Sequence, residues 1–87
     1  MLRITTIQRA DAPVVLKLEG KLLEPWIGEL NDACRRATAA AATTTLDLSG
    51  VSYVDVPGAI ALRSLRRRGV QLIGGSPLVS ELLKETK

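Results

Sequence analysis

The sequence contains no histidine and a single cysteine, Cys34, among its 87 residues. Without histidine, the chain lacks the commonest general base and metal ligand of proteins. A lone cysteine excludes an intrachain disulfide and a cysteine-cluster zinc site, and its thiol has no histidine to activate it. No two aspartate or glutamate residues have a spacing in the sequence that indicates a catalytic pair of carboxylates. We therefore expect no enzyme activity, no metal and no cofactor.

Aromatic residues and long apolar runs are also scarce. Trp26 and Tyr53 are the only aromatic side chains, too few for a surface on which nucleic-acid bases stack. No apolar run is long enough to cross a bilayer, and the first five residues lack the apolar core of a signal peptide. We expect a cytoplasmic protein. Its 46% hydrophobic and 24% charged residues, with a net charge of +3, are typical of one folded domain spanning residues 1–87.

Alternating apolar residues predict four strands. The predicted strands are residues 2–8, 14–19, 44–48 and 70–73. A turn signal at residues 10–13 separates the first two, so we expect them to pair as an antiparallel hairpin with the first strand at an edge. Gly20 is predicted to end the second strand, and Ser49 and Gly50 to break the third.

Apolar residues at three- and four-residue spacing predict three amphipathic helices. The first opens at Glu24-Pro25-Trp26 and runs for about 14 residues; the second runs from about Pro57 to Arg68; the third begins at Ser76-Pro77. Their predicted inner stripes are Trp26, Ile27, Leu30, Ala33, Cys34 and Ala37; then Gly58, Ala61, Leu62 and Leu65; then Leu78, Val79, Leu82 and Leu83. Helices that alternate with strands imply right-handed crossovers. The predicted fold is therefore α/β, a small, mainly parallel four-stranded sheet with an N-terminal antiparallel hairpin and three helices.

Residues 46–58 read LDLSGVSYVDVPG, a strand followed by an apolar segment and an Asp-X-X-Gly turn that opens a helix. This stretch resembles the signature of the STAS domain, the fold of anti-sigma factor antagonists and of the cytoplasmic tails of sulfate transporters. The segments VVLKLEGKLL (14–23) and RGVQLIGGSPLVSELL (68–83) are also similar to segments of that family. The resemblance covers nearly the whole chain. It implies a bacterial regulatory protein that acts by binding other proteins.

The resemblance implies a partner-binding site made of Asp55, Val56, Pro57 and Gly58, with Arg63 further along the same helix. Asp55 is suited to cap the free N–H groups of the helix start, and Gly58 permits close approach of a backbone or a partner. In the family, the residue before this glycine is a serine or threonine. An anti-sigma kinase phosphorylates it, and the added charge expels the partner. Here Pro57 stands in that position after Val56. Neither has a hydroxyl, so we expect no phosphorylation switch at this turn.

The partner class stays open. An anti-sigma kinase or a related regulator is one alternative, and a transport ATPase, with this chain as its accessory subunit, is another. The arginines of the second helix, Arg63 and Arg66 to Arg68, either form a solvated face, contact an acidic partner, or bind nucleic acid weakly. Family members often continue past the third helix with another strand and helix. Because this chain stops at Lys87, we expect a partner or a second copy to supply the missing edge.

Several conspicuous residues are predicted to have structural roles. We expect Asp55 to cap its helix, Cys34 to lie in the core, and Trp26 to be a packing anchor, with an interface role as the alternative for Trp26. The remaining polar residues predicted to serve turns, strand ends or connections are Asp47, Ser49, Ser52 and the loop of residues 74–77.

Overall fold

Four strands and three helices alternate along the chain, and the computed structural model describes residues 2–8, 13–40 and 43–83. The elements are β1 (Leu2–Ile7), β2 (Val14–Leu22), a short 3-10 turn (Glu24–Trp26), α1 (Ile27–Ala40), β3 (Thr44–Val54), α2 (Val56–Arg67), β4 (Gln71–Ile73) and α3 (Pro77–Leu83). The strands form one sheet in the order β1-β2-β3-β4. This arrangement confirms the predicted fold.

The sheet combines one antiparallel pair with two parallel pairs. β1 pairs antiparallel with β2, from Leu2 opposite Gly20 to Ile7 opposite Val15, which confirms the predicted hairpin and the edge position of β1. β3 is parallel to both β2 and β4. Each parallel connection carries a helix, as a crossover between parallel strands requires. Residues 9–12, most of the predicted hairpin turn, lie outside the described residues.

Both long strands continue past the glycines that were predicted to end or break them. The prediction for Gly20 is wrong, because β2 extends to Leu22, and the predicted break at Ser49-Gly50 lies within β3, which extends to Val54. The β2–β3 pairing is irregular between Lys17 and Glu19 and again after Gly20, where φ is 106°. A β-carbon on Gly50 would lie 2.9 Å from the carbonyl oxygen of Leu18. Gly20 thus permits an irregularity in the pairing, and Gly50 permits the close approach of β2. Neither glycine ends a strand.

The core lies between one face of the sheet and the helices. The fully buried side chains of the sheet belong to the two central strands, and Leu16, Leu18, Leu46 and Leu48 are 0–1% exposed. The helices meet them with Leu30, Ala33, Cys34, Ala37, Leu62, Leu65, Val79 and Leu83, all buried. The predicted stripes of α1 and α2 are therefore largely confirmed, with Ala59 added to the stripe of α2. For α3, Val79 and Leu83 are confirmed, and the side chains of Leu78 and Leu82 lie outside the described set.

The opposite face of the sheet carries mixed side chains. Lys17 pairs with Asp47, and Asp47 with Ile73, which is 49% exposed. A half-buried, alternating pattern of this kind is normal for a sheet that helices cover on one side. Within residues 2–8, 13–40 and 43–83, no helix is both long and apolar enough to cross a membrane.

Candidate partner-binding site

The candidate site lies where β3 ends and α2 begins. Asp55 separates the two elements and has extended backbone angles, φ −81° and ψ 177°. Its backbone N–H donates to the carbonyl oxygen of Leu22, the last residue of β2, at 3.1 Å. The turn is thus held against the end of the neighbouring strand. It stands at the carboxyl ends of two parallel strands, where open α/β sheets commonly bind their ligands.

Asp55 caps α2, as predicted, and also forms a second bond that the sequence did not reveal. Its Oδ1 accepts a hydrogen bond from the backbone N–H of Gly58 at 2.7 Å. Its Oδ2 accepts one from the backbone N–H of Glu24 at 2.9 Å, 31 residues away along the chain. Helix starts leave N–H groups without an intrahelical partner, and one carboxylate satisfies two of them here. Asp55 therefore connects the start of α2 to the 3-10 turn that leads into α1.

Gly58 is buried, and its surroundings leave no room for a side chain. A β-carbon there would lie 2.8 Å from the carbonyl oxygen of Leu22 and 2.9 Å from Asp55 Oδ1. Real β-carbons do not occur at such distances from backbone atoms. The close approach predicted for this position is therefore between α2 and the end of β2, within the chain itself.

Exposed apolar side chains surround the turn. Val56 is 72% exposed, and Ile60, one helical turn later on the same side of α2, is 54% exposed. Tyr53, at the end of β3, is 48% exposed, and Pro57 is also exposed. Of the predicted residues, Val56 and Pro57 thus lie on the surface, whereas Gly58 does not. Ile60 and Tyr53 were not predicted; the four-residue spacing from Val56 is the signal that points to Ile60.

The arginines of α2 do not share one environment. Arg63 is half-buried and lies seven residues, about 10 Å, along the helix from Val56. Arg66 is exposed and donates a hydrogen bond from Nη2 to the carbonyl oxygen of Leu83 in α3 at 2.9 Å. Arg68 caps the helix C-terminus with its backbone N–H. Arg63 therefore extends the outer side of α2 that begins with Val56 and Ile60, whereas Arg66 contacts α3.

The residues predicted to be structural are in structural positions. Cys34 is 3% exposed, and burial raises the pKa of its thiol more than the nearby Arg68 lowers it. Trp26 packs against the core. Ser52 Oγ donates to the carbonyl oxygen of Gly20 at 3.2 Å, and the N–H of Ser49 donates to Asp47 Oδ1 at 2.9 Å. This last bond is the main reason why the pKa of Asp47 is lowered.

No metal site is apparent in the described part of the chain. Across residues 2–8, 13–40 and 43–83, no three aspartate, glutamate or cysteine side chains come together. The Asp55 carboxylate is occupied by two backbone N–H groups. The turn presents a mostly apolar surface whose backbone is held by the two hydrogen bonds of Asp55.

This combination of sheet order, helix placement and turn defines the class of STAS-like α/β domains. Unphosphorylated SpoIIAA, an anti-sigma factor antagonist, superposes with a TM-score of 0.73 at 18% identity, covering 92% of this chain and 76% of that one. The STAS domain of an anti-sigma factor antagonist from Rhodobacter sphaeroides superposes at 0.65 with 21% identity, covering 98% and 94%. A SpoIIAA-like protein of the DUF3478 family from Shewanella loihica superposes at 0.62 with 18% identity, covering 88% and 69%.

The family model described as "Mlab, STAS domain" matches residues 5–86. The chain belongs to this STAS family. The resemblance seen in residues 46–58 is thereby confirmed over nearly the full length. No curated protein shows a significant match to the chain.

Proposed function

We propose that this chain is a non-catalytic regulatory module that binds a protein partner at the start of α2. Asp55 and Gly58 hold the turn in shape, and Val56, Pro57 and Arg63 contact the partner. The observation that carries the proposal is the exposure of Val56 and Ile60, 72% and 54%, on a turn fixed by Asp55. Membership of the STAS family and the anti-sigma factor antagonist fold support a regulatory role.

The energetics of such a surface favour binding. Burying an apolar side chain of this size contributes roughly 1.5–3 kcal/mol. Val56 and Ile60 together supply the apolar centre that interfaces typically have, and Arg63 supplies a polar margin. Because the Asp55 bonds fix the turn before the partner arrives, little conformational entropy is lost on association. A small rigid surface can therefore bind without a pocket.

The chemistry of the turn suggests how binding is controlled. Neither Val56 nor Pro57 has a hydroxyl, so a kinase partner could not release itself by phosphorylating this turn. The same observation favours a second candidate partner, a transport ATPase with this chain as its accessory subunit, because such a partner does not require the modification. In either case the module acts by constitutive binding.

Binding to an anti-sigma kinase or to a transport ATPase, each purified, tests the proposal. Val56→Asp and Ile60→Asp should each weaken binding by at least about 30-fold, because each places a charge in the buried centre of the interface. Titration calorimetry measures the affinity, and circular dichroism checks the fold. Ile73→Asp is the matched control, since Ile73 is 49% exposed on β4 and lies outside the site. Equal loss with Ile73→Asp, or none with Val56→Asp, would contradict the proposed site.

Phosphorylation can be tested separately. The protein is incubated with ATP and an anti-sigma kinase, its intact mass is measured, and any phosphate is located by mass analysis of its peptides. We expect no phosphate on residues 55–58, since none of them has a hydroxyl. A stoichiometric phosphate on Ser49 or Ser52 would contradict the purely structural roles predicted for those two residues.

A further inference from the structure

A cavity of about 340 Å³ lies between α1 and the end of α2. On the α1 side it is lined by Thr38 and Ala39, whose short side chains do not fill the space between the two helices. Further lining residues are Cys34, Arg35, Leu65, Arg68 and Val70. Small-molecule sites in proteins typically have volumes from about 300 Å³, a mostly apolar lining and a few polar groups. The cavity therefore has the size and composition of a site for a small ligand.

The floor of the cavity is apolar and uncharged. It is formed by the buried side chains of Cys34, Leu65 and Val70. Burial raises the pKa of the Cys34 thiol, so this group carries no charge at neutral pH. The hydroxyl of Thr38 already donates a hydrogen bond to the carbonyl oxygen of Cys34 at 2.8 Å. A hydrocarbon chain can therefore cover this floor without leaving a polar group unpaired.

Two arginines, Arg35 and Arg68, border this floor, and their charges differ in how far they are balanced. Asp32 pairs with Arg35 at 3.0 Å, which compensates its charge. Among residues 2–8, 13–40 and 43–83, no carboxylate forms an ion pair with Arg68. The Arg68 guanidinium is close enough to the Cys34 thiol to act on it electrostatically. The cavity thus has one uncompensated positive charge beside its apolar floor.

The C-terminal end of α2 does little to weaken this positive charge. The last carbonyl groups of a helix carry partial negative charge and disfavour an anion when they are unpaired. Here the carbonyl oxygen of Leu65 accepts a hydrogen bond from the N–H of Val70 at 3.1 Å, and that of Arg66 accepts one from Gly69 at 3.1 Å. Because these carbonyl groups are paired within the chain, the Arg68 charge remains available to a ligand.

We propose that this cavity binds an aliphatic monocarboxylate, with its chain on Leu65 and Val70 and its carboxylate at the guanidinium of Arg68. A guanidinium can form two parallel hydrogen bonds with a carboxylate. One uncompensated positive charge also matches one carboxylate, whereas a phosphate monoester carries about −1.5 to −2 charges at neutral pH. The apolar floor and the single charge together favour an amphiphilic acid over a wholly polar anion.

The cavity lies at the opposite end of α2 from the partner-binding turn. The helix has twelve residues, so the two sites are about 18 Å apart along its axis. Val56 and Ile60 do not line the cavity. Ligand binding here does not rest on the function proposed for the turn, and either proposal can fail without the other.

An NMR titration of the methyl groups with octanoate, below its micelle concentration, tests the location. The methyl signals of Leu65 and Val70 should shift, whereas those of the exposed Val56 and of the core residue Leu16 should not. Each methylene group that the cavity takes up should raise the affinity about fourfold, so butanoate should bind roughly 50- to 200-fold more weakly than octanoate. No binding of octanoate, shifts centred on Val56, or an affinity independent of chain length would overturn the proposal.

Removal of the Arg68 charge tests the carboxylate contact. Arg68→Gln should weaken octanoate binding about tenfold and leave the affinity for octanol, which has no charge, unchanged. Unchanged octanol binding also shows that the cavity is intact in the variant. Arg36→Gln is the matched control, since it removes the same charge from an exposed position of α1 that does not line the cavity. Equal weakening by both variants, or none by Arg68→Gln, would refute the contact with Arg68.

Discussion

The starts of α2 and α3 have similar sequences but different long-range contacts. Each helix follows a parallel strand and has a capping residue and a proline at its start. Asp55 accepts two hydrogen bonds, at 2.7 Å from Gly58 and at 2.9 Å from Glu24. Ser76 accepts one from the N–H of Val79 at 3.2 Å, within its own turn. The start of α2 is fixed to another part of the molecule, whereas the described cap bond of α3 is local.

The difference follows from the strands. β3 has eleven residues and pairs with β2 as far as Val54, so it carries Asp55 to the end of the sheet beside Leu22. β4 has three residues and lies at the edge. A helix start beside a central strand can be held by neighbours that an edge position does not provide. We therefore expect substitutions at the two helix starts to differ in their cost.

The largest effect is expected at Gly58. Gly58→Ala would place a β-carbon 2.8 Å from the carbonyl oxygen of Leu22, so α2 must shift away from β2. We expect the free energy of unfolding to fall by about 3 kcal/mol. Urea denaturation measures it. Gly28→Ala is the matched control, since nothing lies within 4 Å of a β-carbon at that exposed position of α1. It should be neutral or stabilising by up to about 0.5 kcal/mol; equal losses at both glycines would refute the close-contact explanation.

The caps should show the next largest difference. Asp55→Ala removes both bonds and leaves the N–H groups of Gly58 and Glu24 without this acceptor, at a cost of about 2–3 kcal/mol. Ser76→Ala removes one longer bond and should cost about 1 kcal/mol or less. Thermal and urea unfolding of the two variants gives the comparison. If Ser76→Ala were as costly as Asp55→Ala, the long-range bond to Glu24 would have no measurable role.

The smallest effect concerns Asp47, which lies beside the loop before α3. A β-carbon on Gly74 would lie 2.7 Å from Asp47 Oδ1. The N–H of Ser49 lowers the pKa of Asp47, so its charged form stabilises the folded state above about pH 4. That stabilisation is lost as the pH falls through the lowered pKa. Asp47→Asn should therefore be less stable than the original protein at about pH 7 and nearly equal to it at about pH 2. A stability difference that does not change with pH would rule out this linkage.

The sequence predicts the architecture well because local patterns determine most of it. Alternation, helical periodicity and proline at helix starts indicated all seven elements and their order. Gly20 and Gly50 were misinterpreted, because a glycine that ends a strand and one that permits a bulge look alike in a single sequence. Which applies depends on the neighbouring strand, here Leu18 and Glu19 of β2.

The local structure of the candidate site was predicted only in part, for the same physical reason. The capping role of Asp55 could be predicted because the residue stands directly before a helix. Its hydrogen bond to Glu24 could not, because the two residues are 31 positions apart and meet only in the folded sheet. Arg63 and Arg66 looked equivalent in sequence. Only the packing of α3 distinguishes them, because it brings the Leu83 carbonyl to Arg66. Exposure of Ile60 likewise follows from how α2 is rotated on the sheet.

The Asp55 bonds also bear on how the site can change in evolution. Shape at the turn depends on two positions, Asp55 and Gly58, whose roles are internal. Val56, Pro57 and Ile60 are exposed, so replacing them should alter what the proposed site recognises without altering the backbone. A lineage can therefore acquire a new partner, or lose a modifiable hydroxyl, by substitutions at these outer positions alone. Divergent binding specificity on a constant backbone is the expected outcome in related chains.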